Sequence, residues 1–508
     1  MGQPPRGTPI WVLRKSTVHL HKPRCVTPSL VRGKQKGMLY QENFQNRQPF
    51  APRRIQNGGC GAFRSAQASI EGVFVTKNWR PVSRFVTCSR AANGAMALLT
   101  MVVLVAFATE SLQARTLTAL HAFNAPPDGG SPWAAPIQDK QGNFYGTTWA
   151  GGTKSWGTVY KVDSTGKETI LHSFIGGKDG ANPWAGLIMD AAGNLYGTTN
   201  TGGGKYCFNN YGCGVVFKLS HGTHGWKETI LYALKGGSEG EHPGYGALAR
   251  DTAGNLYGTT TYGGTGYCST GCGVVFKLTH ASGVWKEQVL HTFTAMSQTD
   301  GATPYGGLVL DAAGNLYGTT SIGGNTTCGC GTVFKLDPSG TETILYSFAG
   351  GADGAEPFAT LVRDAAGNLY GTTLFGGNNL SFGTVFKLDP SGTKTLLHTF
   401  AGYPSDGSDP YSPLVRDAAG NLYGTTYFGG NSSGGGFCET NHQPQGCGIV
   451  FMVNPSGKET VLHNFSYYVD GAEITAGVNL DAKGNLYGGT GAGGPKQIHA
   501  GIVFKLTK

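Results

Sequence analysis

The sequence predicts an all-β fold: a seven-bladed β-propeller with four antiparallel strands per blade. Three observations carry this. The string Gly-Asn-Leu/Phe-Tyr-Gly recurs at intervals of 51–64 residues, with its tyrosine at Tyr145, Tyr196, Tyr257, Tyr317, Tyr370, Tyr423 and Tyr487. Each copy lies in a unit of four short β-type runs, with no helical periodicity after residue 115. Finally, a run of the form Thr-x-Leu-His/Tyr-x-Phe closes six units, while its seventh copy, 118–123, stands at the start. A ring whose N-terminal strand (about 115–123) completes the last blade needs that permutation and leaves no exposed sheet edge.

The elements follow in chain order. Residues 1–95 hold 16 Lys+Arg and two acids, a net charge of +14, with no sustained period. They read as a basic, unstructured leader or a mis-assigned start. The uncharged run 95–108, AMALLTMVVLVAFA, is too short to span a bilayer but suits a signal-peptide core, so 96–114 reads as a targeting segment. Ala106-Phe107-Ala108 offers a small-x-small cleavage site, with Ala114 as a second. Residues 115–508 carry 23 bases and 27 acids and read as one propeller domain. The formal +9 of the whole chain therefore belongs to the leader, which leaves no reason to expect a nucleic-acid partner.

Within the fourth unit the strands are expected at about 304–311, 314–320, 331–336 and 341–348. Asp-x-x-Gly-Asn joins the first pair and Asp337-Pro338-Ser339-Gly340 the second. In such turns Gly supplies positive φ, while Asp or Asn bonds its own backbone. The repeated Asp139, Asp190, Asp251, Asp311, Asp364, Asp417 and Asp481 are accordingly turn residues.

The Gly-Asn-Leu-Tyr-Gly-Thr-Thr, Gly-Gly and Gly-Thr-Val-Phe-Lys-Leu strings resemble the GloVer tandem repeats of exported bacterial proteins, over the whole of 115–508. The Asp-x-x-Gly-Asn-Leu-Tyr turn is also similar to that of NHL-type propeller repeats. The resemblance implies a propeller and export, and brings no activity. The C-terminal anchor frequent in that family is not expected after Lys508.

Eight cysteines form local pairs in the loops between second and third strands: Cys207/Cys213, Cys268/Cys272, Cys328/Cys330 and Cys438/Cys447. They read as disulfides, Cys328/Cys330 being the weakest case because its ring is so small. Their even number suits an oxidising compartment, so the protein is expected to be secreted, periplasmic or at the cell surface.

Candidate chemistry is sparse. Gly236-Gly-Ser-Glu-Gly240 matches a nucleophile-elbow string but lacks the strand-to-helix context. His121, His172, His291, His398 and His463, with Tyr232 and Tyr346, share one position on the outermost strands. They cannot meet at one ion, so they read as packed aromatics with hydrogen-bonded tips, and no metal or cofactor is expected.

The better candidates lie where linkers and loops emerge around the channel. The linkers read Asp-Gly-x-x-Pro, supplying Asp128, Asp179, Glu239, Asp300, Asp353 and Asp406. An aromatic follows in each: Trp133, Trp184, Tyr245, Tyr305, Phe358 and Tyr411. A ring of carboxylates beside a ring of aromatics suits sugar binding, although Asp-Gly turns and core-filling aromatics explain the same residues structurally. Tyr206, Phe208, Tyr211, Tyr267 and Phe437 in the Cys loops are further exposed candidates, and His242, His442 and His499 break the repeat where catalysis would need asymmetry. The expected function is a monomeric, non-catalytic scaffold binding an extracellular glycan or protein on its loop face. The alternative is a polysaccharide- or lactone-directed lyase or hydrolase at the channel mouth.

Overall fold

The second strand of every blade explains the most conspicuous repeat. Leu195–Thr199 and its equivalents, such as Leu316–Thr320 and Leu369–Thr373, are buried at every residue. The structure, a computed structural model, describes residues 115–508 except 125, 205–206, 208–210, 296–299, 325–326, 379, 432–437, 441–442 and 496–499. The leader and targeting segment therefore lie outside the described residues, as do Tyr206, Phe208, Phe437, His442 and His499.

Seven antiparallel blades are present, each with four strands that run outward in strand order except in the seventh, and the third blade adds the short strand Glu241–Pro243 beside Leu256–Tyr262. The fourth blade comprises Val309–Leu310, Leu316–Thr320, Thr332–Leu336 and Glu342–Ser347. The seventh comprises Val478–Leu480, Leu486–Gly489 and Ile502–Thr507, and its outer strand is Thr116–Ala122 from the start of the described chain. That strand pairs antiparallel with Ile502–Thr507, from Thr116 opposite Thr507 to Ala122 opposite Ile502.

The repeated turn is built as its chemistry requires. Asp190 Oδ1 accepts the N–H of Ala192 at 3.0 Å and of Asn194 at 2.9 Å, and Oδ2 accepts Asn194 Nδ2 at 2.8 Å and the Tyr196 hydroxyl at 2.9 Å. Burial alone would raise this carboxyl, but those four bonds outweigh it and hold it below the usual range. Lys218 from the same blade and Arg250 from the next then cover the Tyr196 ring at 5.6 and 5.7 Å. Arg363 over Tyr317 and Arg416 over Tyr370 repeat the second contact, which accounts for these repeated arginines.

Blades adhere through a shared apolar layer. Tyr145, Val159 and Phe174 of the first blade pack with Leu187, Leu195, Phe217 and Leu219 of the second. Phe174, which follows the outer strand Glu168–Ser173, meets Phe217 edge to face at 5.3 Å. In every blade the outer strand carries one bulge, at Leu120, Leu171, Leu231, Leu290, Leu345, Leu397 and Leu462. A bulge re-aims the side chains beyond it, here the repeated His or Tyr.

The first strands are shorter than the sequence suggests: in the fourth blade two residues pair, not 304–311. Thr303 adopts φ +52°, Pro304 has no N–H to donate, and Gly306 lies so close to the fifth blade that a Cβ would stand 2.9 Å from the Ala359 carbonyl carbon. The segment is committed to its neighbour instead of its own sheet.

Candidate functional site

Each linker begins with a tight turn, a 3₁₀ turn in Gly177–Asp179, Gly237–Glu239 and Gly351–Asp353, whose acidic residue turns back to the strand it has just left. Asp179 Oδ2 accepts the Ile175 N–H at 2.7 Å, and Oδ1 lies 3.1 Å from His172 Nε2. Asp406 with His398 and Asp470 with His463 repeat this pair at 3.1 and 2.7 Å, and where Tyr stands for His, Tyr232 donates to Glu239 at 2.6 Å and Tyr346 to Asp353 at 2.7 Å. Five of the seven His/Tyr tips are thus hydrogen-bonded, while His121 and His291 stand 3.6 and 3.7 Å from Asp128 and Asp300. Their partners are the linker carboxylates expected at the mouth: Asp128, Asp179, Glu239, Asp300, Asp353 and Asp406 all face outer-strand groups. Burial opposes ionisation of Asp128, but the neighbouring His121 and Glu168 side chains and two backbone N–H groups hold it down at about 2.

Asp128, Asp179, Asp300, Asp353 and Asp406 also meet the head of the next blade's outer strand, a contact with no local sign in the sequence. His172 Nε2 lies 3.6 Å from Glu228 Oε2, and Lys394 Nζ takes the corresponding place 2.7 Å from Asp353 Oδ1. Burial and the adjoining Asp179 push Glu228 up to about 9.

The linker aromatics do come together. Trp133 meets Trp184 at 5.1 Å, Trp184 stacks on Tyr245 at 4.3 Å, and Tyr245 meets Tyr305 at 5.3 Å. Tyr305 stacks on Phe358 at 4.1 Å, and Phe358 meets Tyr411 edge-on at 5.4 Å. Tyr245 also reaches Phe358 two blades away, at 5.4 Å, so the rings fill the centre as well as circling it. All six are half-buried. In the seventh blade Thr475 stands in this place, which leaves the arc open on one side. Trp149 stacks on Trp133 and Tyr427 meets Tyr411 to extend its two ends.

Immediately before the recurring linker proline, replaced by Ile474 in the seventh blade, stands a second ring that the linker pattern treated as spacer. Ser131, Asn182, His242, Thr303, Glu356, Asp409 and Glu473 all have φ between +52° and +57°. A non-glycine residue held there costs about 1–3 kcal/mol and persists only where its surroundings fix it. The N–H groups of Asn182, His242, Thr303, Glu356 and Asp409 donate to Trp156, Cys213, Cys272, Cys330 and Phe382 of the preceding blade at 2.8–3.1 Å. These docking bonds explain the backbone and leave the side chains free to vary. The readable signal was variation in one slot of a uniform linker.

That variation is lopsided: the acids fall in blades five to seven. Burial pushes Asp409 up to about 7 and also raises Glu473, which accepts the Tyr427 hydroxyl. His242, chosen from the sequence as an outlier, belongs to this ring. It is 6% exposed, its Nδ1 lies 3.2 Å from Asn200 Oδ1, and burial lowers it to about 4, so it is neutral at physiological pH.

All four cysteine pairs are disulfides: Cys207–Cys213, Cys268–Cys272, Cys328–Cys330 and Cys438–Cys447. The second cysteine shares its slot with Trp156 and Phe382, and at Gly176, Gly236, Gly350 and Gly402 this slot covers a linker glycine. A Cβ on Gly350 would meet Cys330 Sγ at 2.9 Å, and one on Gly402 would meet Phe382 Cζ at 2.9 Å. Tyr211 and Tyr267 of the Cys loops are 57% and 76% exposed. A cleft of about 400 Å³ between the first and seventh blades, lined by Ile137, Phe144, Asn479 and Tyr487, contains none of the predicted site residues.

Ring, blades and linkers define a β-propeller repeat protein. The chain belongs to the Gloeobacter/Verrucomicrobia repeat family, whose model matches residues 105–329, 266–446 and 329–508. No curated protein sequence matches it. Similar solved structures include a provisionally assigned gluconolactonase, with 11% identity, TM-score 0.35, and coverage of 78% of this chain and 92% of that one. The extracellular domain of a provisionally assigned one-component system from B. thetaiotaomicron gives 11%, 0.45, 77% and 40%. A puromycin hydrolase gives 13%, 0.44, 72% and 52%. The chain spans about half or less of the latter two. Among the described residues, no helix is long and apolar enough to cross a membrane.

Proposed function

We propose that this is an exported, non-catalytic binding scaffold that takes an extracellular glycan or protein on the face where linkers and Cys-stapled loops emerge. One observation carries this reading. Of the ten strongly exposed large hydrophobic side chains among the described residues, Ile175, Tyr211, Tyr267, Ile322, Phe375, Leu380, Tyr468 and Val469 all lie in linkers or in loops following a second strand. Exposed apolar groups gathered on one face mark an interaction surface. The half-buried aromatic arc, on which a sugar ring would stack, belongs to the same linkers, and the disulfides fit an oxidising compartment. The test is a thermal-shift and calorimetric screen of the protein against glycan and peptide panels. Saturable binding weakened at least tenfold by Tyr211→Ser with Tyr267→Ser is expected, and no binding across the panels would overturn the reading.

A second reading, acid–base cleavage of a polysaccharide or lactone at the same mouth, draws on Asp409. A carboxyl raised to about 7 suits proton transfer near neutral pH, and the Tyr427–Glu473 pair joins the same blade to the next. Turnover abolished by Asp409→Asn would favour it over the scaffold.

A further inference from the structure

The contacts between outer strands form a second set of sites, each using a linker acid five residues ahead of a mouth aromatic, as in Asp128 with Trp133 and Asp300 with Tyr305. At the junction of the seventh and first blades, His121 Nε2 lies 3.6 Å from Asp128 Oδ2 and 3.7 Å from Glu168 Oε2. At the junction of the third and fourth, His291 Nε2 lies 3.7 Å from Asp300 Oδ1 and 3.6 Å from Glu342 Oε2. In each trio one ligand atom per residue lies within 4.8 Å of the other two.

These separations exceed a hydrogen bond. They suit ligands sharing one ion: two atoms each about 2.1 Å from a four-coordinate zinc stand roughly 3.4–3.6 Å apart. At the second trio, His291 Nε2 and Glu342 Oε1 make no hydrogen bond, and the Glu342 side chain is only 10% exposed. Buried polar atoms ordinarily find partners, so two such atoms at one trio point to a missing one. A neutral imidazole with two carboxylates carries two negative charges, which a divalent cation balances.

The chain contains its own comparison. At the junction of the fourth and fifth blades Tyr346 replaces His, and Lys394 replaces Glu, its ammonium 2.7 Å from Asp353. At the junction of the second and third, Tyr232 replaces His, and Lys235 stands 2.7 Å from Glu239. A neutral phenol is a poor metal ligand, and both Tyr junctions supply a lysine cation instead. At the sixth and seventh, Leu117 occupies the Glu place and the trio is incomplete.

We propose that the junctions His121/Asp128/Glu168 and His291/Asp300/Glu342 each bind a divalent cation of the zinc class, with solvent in the fourth position, clamping neighbouring blades. The related trios His172/Asp179/Glu228 and His398/Asp406/Glu459 are closed further by His–Asp pairs of 3.1 Å and rank behind them.

The experiment loads the full chain with Zn²⁺ after chelation, then measures bound metal and calorimetric stoichiometry. His121→Tyr and His291→Tyr, alone and together, are suitable variants because the chain itself carries Tyr at this position in two blades. Their metal-free circular dichroism and melting temperature report folding. At least two tight equivalents in the native chain are expected, one lost with each substitution, together with a Zn²⁺-dependent rise in melting temperature that shrinks in step. His291→Tyr combined with Glu342→Lys, which copies the Tyr346/Lys394 junction, should melt normally without metal and bind one equivalent fewer. Fewer than two saturable equivalents in the native chain, or a stoichiometry unchanged in the double His→Tyr variant, would overturn the proposal.

Discussion

A Cβ placed on Gly197 would lie 2.6 Å from Cζ of Phe217, so the small residue of one strand and the ring of the next form a single feature of the second blade. Gly258 with Phe276 and Gly424 with Phe451 repeat the relationship at the same distance. Gly197→Ala must displace a fully buried ring, and overpacking of this kind costs about 1–3 kcal/mol. Thermal melting should show the loss, and Phe217→Leu added to it should recover part. A Gly197→Ala variant melting like the native chain would contradict the geometry.

The turn aspartate is a scaffold group. Asp190→Ala removes four acceptor contacts at once, an expected loss of about 1–3 kcal/mol. It should lower the melting temperature without weakening any ligand found for the loop face. Lost binding with unchanged stability would reverse that assignment.

The second cysteine of each pair fills a slot that other blades fill with an aromatic ring. Cys207→Ala with Cys213→Trp should therefore melt close to the native chain under reducing conditions, because Trp156 covers the equivalent Gly176. Cys213→Ser alone should melt lower. If the aromatic replacement is no better than serine, the slot needs the covalent link and not the volume.

Two buried groups of the linker ring give opposite pH dependences. Asp409 is raised from its ordinary value to about 7, so its contribution is full below the unfolded value near 4 and is lost as pH rises through 7. Tyr427 and Glu473, which adjoin it, stay in place in Asp409→Asn, and that variant should flatten the decline in melting temperature between about pH 4 and 7. His242 is lowered to about 4, so its contribution is present above 6.5 and is lost as pH falls through 4. Asn already occupies this conformation at Asn182, so His242→Asn should flatten the acid limb alone. Melting curves from pH 4 to 8 read both, and parallel profiles for all three proteins would refute the assignment.

The sequence by itself determined the repeat, the seven blades, the four cysteine pairs and the Asp-x-x-Gly-Asn turn. All of these follow from interactions within one unit: alternation along a strand, a turn satisfied by its own Asp, cysteines a few residues apart. The long-range exception is the strand 116–122 in the seventh blade, which a permuted repeat count revealed. Only the tertiary structure decided what lies between units. It turned Asp179 toward His172 and Glu228 instead of Trp184, because Gly177–Asp179 folds the carboxylate back and the bulge at Leu171 re-aims the imidazole. It brought Trp133 to Trp184 and Tyr245 to Phe358, and it set His242, Asp409 and Glu473 in one ring through positive φ and backbone docking to the preceding blade. A contact between residues about fifty or a hundred and ten positions apart is set by closure of the ring, and no local pattern in the chain encodes that curvature.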